Sequence, residues 1–413
     1  MQKIPLTTAK YIPTYIFVTS LFLLWGVAIT MGDVLNRHFQ KVLHVSLADS
    51  GLVQFSIFGA YAVMGIPAGL FMKRFGYQKG VLLGLGLYAI GAFMFYPAAD
   101  SESFGFFRLA LFVLACGLAT LETVAHPFSA ALGPEPTSEQ RINFSQTFNG
   151  VGAIIGPALG GYFILKEVPT GVAAQDLASV KLMYLIIGAV VAAVAISFAF
   201  VKVPPLTDAH RSETAELNPV ERGLFQNRHF VWAAVAQFFN VAAQGGTWAF
   251  FINYGVKNMP GMTDEAAAYY FSFSMVMLLA GRAIGTYLMR FIRPNKMLAI
   301  FAFGNIVMCL IVAQAWGWVS FGALIMLNFF MSIMFPTIFG LGLKNLGEHT
   351  QRASSFIVMG VVGGALFPPL MGKIADTNVA HSYYLPIICY AVILLFALRF
   401  SQPTVARKVE RVG

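Results

Sequence analysis

Twelve apolar runs constrain this chain more than any other feature. A helix of roughly 20 apolar residues crosses a hydrocarbon core of about 30 Å. Such runs lie at 15–35, 52–72, 80–95, 106–132, 143–165, 182–201, 229–254, 266–291, 296–316, 319–343, 352–374 and 384–400. In lipid every backbone polar group needs an internal partner, so runs of this length fold as helices. The expected fold is therefore all-α, an integral membrane bundle of twelve transmembrane helices. Composition agrees: 58% of residues are hydrophobic and 11% charged, against about 25% charged in a soluble domain.

The net charge of +9 comes from the loops. Of 27 Lys and Arg, 19 fall at the N-terminus, in the even-to-odd loops and in the C-terminal tail, and seven on the opposite side. Arg282 is left inside a helix, about 12 Å from Arg290 at 1.5 Å per residue. Basic residues favour the cytoplasmic face, so both termini are expected in the cytoplasm of a bacterial inner membrane. This asymmetry accounts for the positive charge without a nucleic-acid partner. Lys3 and Lys10 precede the first run as in a signal peptide, but the run is too long and no small-residue cleavage site follows. Cys116, Cys309 and Cys389 sit in separate runs with no metal or disulfide spacing.

The longest polar stretch, 202–228, divides the chain into halves 1–201 and 229–413 of six helices each. The halves repeat weakly. Gly65, Gly69, Arg74 and Phe75 recur 216 residues later as Gly281, Gly285, Arg290 and Phe291. Pro127, Leu132 and Gly133 recur 209 later as Pro336, Leu341 and Gly342. Arg141, Gly152, Pro157 and Gly161 recur 211 later as Arg352, Gly363, Pro368 and Gly372. Two pseudo-symmetric halves with a site between them is the major facilitator architecture. The glycine pairs at GxxxG spacing are expected to pack helices within the bundle, and the chain to act as a monomer.

Within the fourth run stands Glu122, whose insertion at mid-membrane costs about 2.5–3.5 kcal/mol. Desolvation disfavours the charged form of a carboxyl, which lets such a group exchange protons near neutral pH. His126 follows one helical turn on, close enough to share a proton, and Pro127 is expected to kink the helix. Of 18 carboxylates only Asp33 and Glu122 fall within the runs, and the counterpart of Glu122 in the second half is Met331. The plain alternatives are a packing ion pair for Glu122 and interfacial water for Asp33.

Amides form two further faces. Gln237, Asn240, Gln244 and Trp248 of the seventh run share an arc of about 80°, and Asn143, Gln146 and Asn149 of the fifth about 120°. Amides both donate and accept, matching sugar hydroxyls without adding charge, and Trp25 or Trp248 can stack on a pyranose. Hydrogen bonding between helices is the competing role for each amide. No Walker loop, HExxH or Ser/His/Asp pattern is present; the chain is not expected to be an enzyme, and it needs neither metal nor cofactor beyond a coupling proton.

Several pieces resemble the fucose/galactose/glucose proton symporters, a family of L-fucose permease-like carriers within the major facilitator superfamily. They are Leu121-Glu122-Thr123 with Pro127-Phe128, Gln146-Thr147-Phe148-Asn149, Ala236-Gln237-Phe238 with Gln244, Met331-Ser332-Ile333, residues 335–339, Lys344-Asn345-Leu346-Gly347 and residues 354–359. The resemblance implies that Asp33 and Glu122 correspond to that family's two carboxylates for proton coupling and sugar binding. Two positions depart from the fucose-carrier pattern. Asp33 follows Ile29-Thr30-Met31-Gly32 in place of an asparagine-rich turn, and His126 stands where an asparagine precedes the fourth-helix proline. The function expected is proton-coupled import of a monosaccharide: a hexose, deoxyhexose or N-acetylhexosamine. A uniporter of the same fold and a non-transporting sugar sensor are the alternatives.

Overall fold

The computed structural model describes residues 6–134, 138–166, 170, 172–201, 223–289, 291–344, 346 and 350–402, and among these it is helical with no strand. Most of the expected linker, 202–222, lies outside the described residues. In chain order the helices used below are α1 (Ile12–Val42), α2 (Leu47–Ser50), α3 (Leu52–Phe75), α4 (Tyr77–Phe93), α5 (Phe104–Ala131), α6 (Ser138–Gly160) and α7 (Ala178–Ala199). They continue as α8 (Arg228–Ala249), α9 (Phe251–Asn258), α10 (Asp264–Leu288), α11 (Pro294–Ala313), α12 (Trp318–Met331), α13 (Met334–Gly342), α14 (Thr350–Met359), α15 (Gly363–Thr377) and α16 (Leu385–Leu395).

Among the described residues eleven helical stretches are long and apolar enough to cross a membrane. The expected seventh span, 229–254, is not one of them. It folds as α8 and then, after a break at Phe250, α9. Gln237, Asn240 and Gln244 lower its hydropathy, yet the first two are buried at 0% and 2% exposure. The helix is therefore held by its neighbours more than by lipid. The first helix runs beyond the expected 15–35 to Val42. The polar residues that end the apolar run, Asn36 and His38 among them, are buried against other helices.

Buried apolar side chains form two large clusters. One is drawn mainly from α1 to α7 and the other mainly from α8 to α16. The same close approach is made in each. A Cβ at Gly152 of α6 would run into the Leu23 carbonyl of α1, and a Cβ at Gly363 of α15 would run into the Phe238 carbonyl of α8. The repeat seen in the sequence is thus a repeat of backbone contact. The GxxxG pairs behave differently from each other. Gly281 meets Phe329 and Ser332, and Gly285 meets Ile333, whereas nothing approaches Gly65.

Irregular backbone is concentrated in the second half. The tenth span breaks between α12 and α13 at Ser332-Ile333, and a 3-10 turn, Gly360–Val362, separates α14 from α15. In lipid such breaks persist where protein or a cavity surrounds them. By contrast α5 is helical through position 127; the Pro127 side chain lies outside the described residues.

Candidate functional site

Three helices of the first half converge on Glu122. Trp25 of α1 donates its indole Nε1–H to the Tyr61 hydroxyl of α3 at 2.6 Å. That hydroxyl also hydrogen-bonds the Glu122 carboxyl from α5. Among the described residues Glu122 forms no ion pair with a Lys or Arg: its partner is a phenol, able to donate to a charged carboxylate or accept from a neutral acid.

His126 turns from the Glu122 carboxyl to the main chain. Its Nδ1 lies 2.9 Å from the Glu122 carbonyl oxygen. A carbonyl only accepts, so Nδ1 carries the hydrogen. In the neutral ring Nε2 is then an acceptor, and Gln146 of α6 brings its amide Nε2 to within 2.6 Å. Phe22 stands edge-on to the imidazole with centroids 5.1 Å apart, and Trp25 does so at 6.5 Å. Asn149, one turn beyond Gln146, donates to the Phe22 carbonyl at 3.3 Å. Trp25, through Tyr61, and Gln146, through His126, are thereby linked to Glu122, and Asn149 is tied to α1 at Phe22. The Asn143 side chain lies outside the described residues.

Asp33 is held separately. It lies eight residues beyond Trp25 on α1, about 12 Å along the axis, is 3% exposed, and accepts from Gln54 Nε2 of α3 at 2.5 Å. Sequence reasoning missed Gln54 and Tyr61. Both belong to the second span, seven residues apart and so on one helix face. A polar pair at that spacing in an apolar run was the signal available.

The α8 stripe divides. Trp248 donates to Asn328 Oδ1 of α12 at 2.7 Å, and Asn328 donates to Ser274 Oγ of α10 at 3.0 Å. This chain of bonds ties three helices of the second half together. Gln237 and Asn240 are buried, and among the described residues neither polar atom of the Gln237 amide, nor the Asn240 Nδ2, has a hydrogen-bond partner. Gln244 is half-buried. Arg282, inside α10, donates from Nε to the Ser332 carbonyl at the α12–α13 break, 3.3 Å away.

The profile of the Major Facilitator Superfamily matches residues 16–369. The chain is 39% identical to the L-fucose-proton symporter of Escherichia coli (strain K12), over 96% of this chain and 94% of that protein. It is 34% identical to the glucose/galactose transporter of Brucella abortus biovar 1 (strain 9-941), over 93% of each. Its fold superposes on the crystal structure of a transporter of that superfamily, FucP, in the outward conformation, with a TM-score of 0.70 and 38% identity over 96% of this chain and 100% of that one.

Proposed function

The chain belongs to the Major Facilitator Superfamily, and we propose that it imports a neutral monosaccharide together with a proton by alternating access. It is a multi-pass membrane carrier and not an enzyme. The observation that carries the reading is Glu122 within a membrane helix, partnered by Tyr61 and, among the described residues, in no ion pair with a Lys or Arg. Such an acid can bind and release a proton as the cavity opens to either side, with no competing fixed charge. One charge crossing 100 mV supplies about 2.3 kcal/mol, roughly a 50-fold accumulation ratio. The L-fucose-proton symporter and the glucose/galactose transporter among its relatives support a substrate among hexoses and deoxyhexoses, with N-acetylhexosamines the remaining class.

In this reading Glu122 and Asp33 exchange protons, and His126 supports them by fixing Gln146. Gln146, Asn149 and Trp25 meet the sugar from the first half, and Gln244, the Gln237 amide and the Asn240 Nδ2 from the second, the last two without a hydrogen-bond partner among the described residues. Trp248 serves the second half through Asn328 and Ser274. The two halves, 1–201 and 229–413, rock about the site as units joined by 202–228. The 19-to-7 distribution of basic residues supports both termini in the bacterial cytoplasm and the α1–α2 turn at the outer face. The protein works as a monomer, needing lipid, sugar and proton alone. Uptake of a panel of labelled sugars into proteoliposomes, with and without an imposed pH gradient, tests this. Accumulation of one sugar only with the gradient is expected; equilibration unaffected by the gradient would make the carrier a uniporter.

A further inference from the structure

Three charged residues stand one helical turn apart on α1: Asp33, Arg37 and Lys41. The two cations converge on one carboxylate of the other half. Arg37 Nε lies 2.5 Å from Asp264 Oδ1 and Lys41 Nζ 2.8 Å from Asp264 Oδ2, with Arg37 and Asp264 side chains only 13% and 11% exposed. Asp33, on the same helix, has Gln54 and, among the described residues, no cation. Helices of the two halves are joined around this ion pair by further polar contacts. Asn36 donates to the Ala249 carbonyl at 2.7 Å, Asn253 donates to Gln40 Oε1 at 2.5 Å, and Asp376 accepts from the Leu47 amide at 2.8 Å.

Alternating access requires the halves to part at this end, and parting them pulls Asp264 from Arg37. A guanidinium stripped of its partner in a poorly hydrated site is strongly disfavoured. The carboxyl one turn back along α1 is Asp33, and an acid placed four residues N-terminal to a base is the favourable order on a helix. We infer that Arg37 exchanges carboxylates during transport, holding Asp264 while the halves meet at this end and Asp33 when they part. This rests on the reading of Asp33 as a coupling residue and supplies its link to motion. A cation beside a carboxyl favours the charged form. Proton binding at Asp33 and parting of the halves are then mutually exclusive, so loading the proton favours closure.

Other ionisable groups near this end are engaged elsewhere or lie apart. His38 bonds the Asp176 carbonyl, Asp49 bonds Ser46, Lys166 lies over the Tyr162 ring, and Glu265 accepts from Tyr269. Lys257 closes α9, and Glu122 sits with Tyr61.

Spin labels on His44→Cys and Lys257→Cys in nanodiscs measure the test, since Cys116, Cys309 and Cys389 are all buried. The fraction of molecules with this end parted is expected to rise with pH in the otherwise unchanged protein and to stay low and flat in Asp33→Asn. Asp264→Asn raises that fraction, and the increase shrinks by about threefold or more when Asp33→Asn is added. Lys41→Gln also loosens the end but leaves the dependence on Asp33 intact. Equal increases from Asp264→Asn with and without Asp33 would overturn the exchange, leaving a simple latch. Arg37→Gln abolishes the interplay; should it melt before measurement, Arg37→Lys keeps the charge and retains the interplay. Gradient-driven uptake by Asp33→Asn is read in parallel. If it persists, the coupling role of Asp33 fails, whatever the labels report about Arg37.

Discussion

The imidazole of His126 and the amide of Gln146 meet nitrogen to nitrogen, 2.6 Å apart, while the other ring nitrogen is committed to the Glu122 carbonyl. Only the neutral ring with its hydrogen on Nδ1 satisfies both contacts, with Gln146 donating. The amide is thereby oriented, and its oxygen is left for another partner. His126→Ala releases the amide. Sugar affinity is expected to fall about 2- to 13-fold, the equivalent of a hydrogen bond worth about 0.5–1.5 kcal/mol net. Equilibrium binding by calorimetry checks this; unchanged affinity would remove Gln146 from the sugar site.

Tyr61 links Trp25 to Glu122, so Tyr61→Phe separates the ring from its hydroxyl. The ring still packs, but the Trp25 indole N–H and the Glu122 carboxyl both lose a partner. The protons taken up per sugar should fall while exchange of labelled for unlabelled sugar continues. Unaltered proton uptake would make the phenol a packing residue.

Glycine contacts give a stability prediction with an internal control. Gly152→Val drives a side chain into the Leu23 carbonyl, an overpacking that costs about 1–3 kcal/mol or more. Gly65 has open space around it, so Gly65→Ala should be neutral or stabilising by up to about 1 kcal/mol through helix propensity. Thermal melting in detergent compares them. Similar melting temperatures for both variants would contradict the account of helix packing.

The α1–α6 and α8–α15 approaches were legible because glycine and proline recur at nearly constant offset. So was Glu122, because one carboxyl in an apolar run is conspicuous. Partners were not legible. Arg37 and Asp264 are 227 residues apart, and no local pattern pairs them. Gln54 and Tyr61 look like ordinary polar interruptions until α3 is packed beside α1 and α5. The α8–α9 break at Phe250 falls after Gly245-Gly246, which remain helical, because neighbouring helices decide where the chain turns. The periodicity of Gln237, Asn240, Gln244 and Trp248 puts them on one face of α8, but periodicity does not say what that face meets.

Trp248 separates those two kinds of knowledge experimentally. Its indole bond to Asn328 predicts that Trp248→Phe lowers the melting temperature, since a buried acceptor left unpaired costs about 1–3 kcal/mol. Sugar affinity should change little. A loss of affinity without loss of stability would return Trp248 to the sugar-stacking role that its sequence position first implied.

Glu122 is the residue to which we assign the coupling proton. Glu122→Gln keeps the size and hydrogen-bonding capacity of the side chain and removes its titration. Proteoliposomes allow pH-gradient-driven accumulation and equilibrium exchange to be measured on the same preparation. Glu122→Gln is expected to abolish accumulation and sugar-induced proton uptake, while exchange, which moves no net proton, continues. Accumulation at the level of the unchanged protein would contradict it and make Glu122 a structural partner of Tyr61.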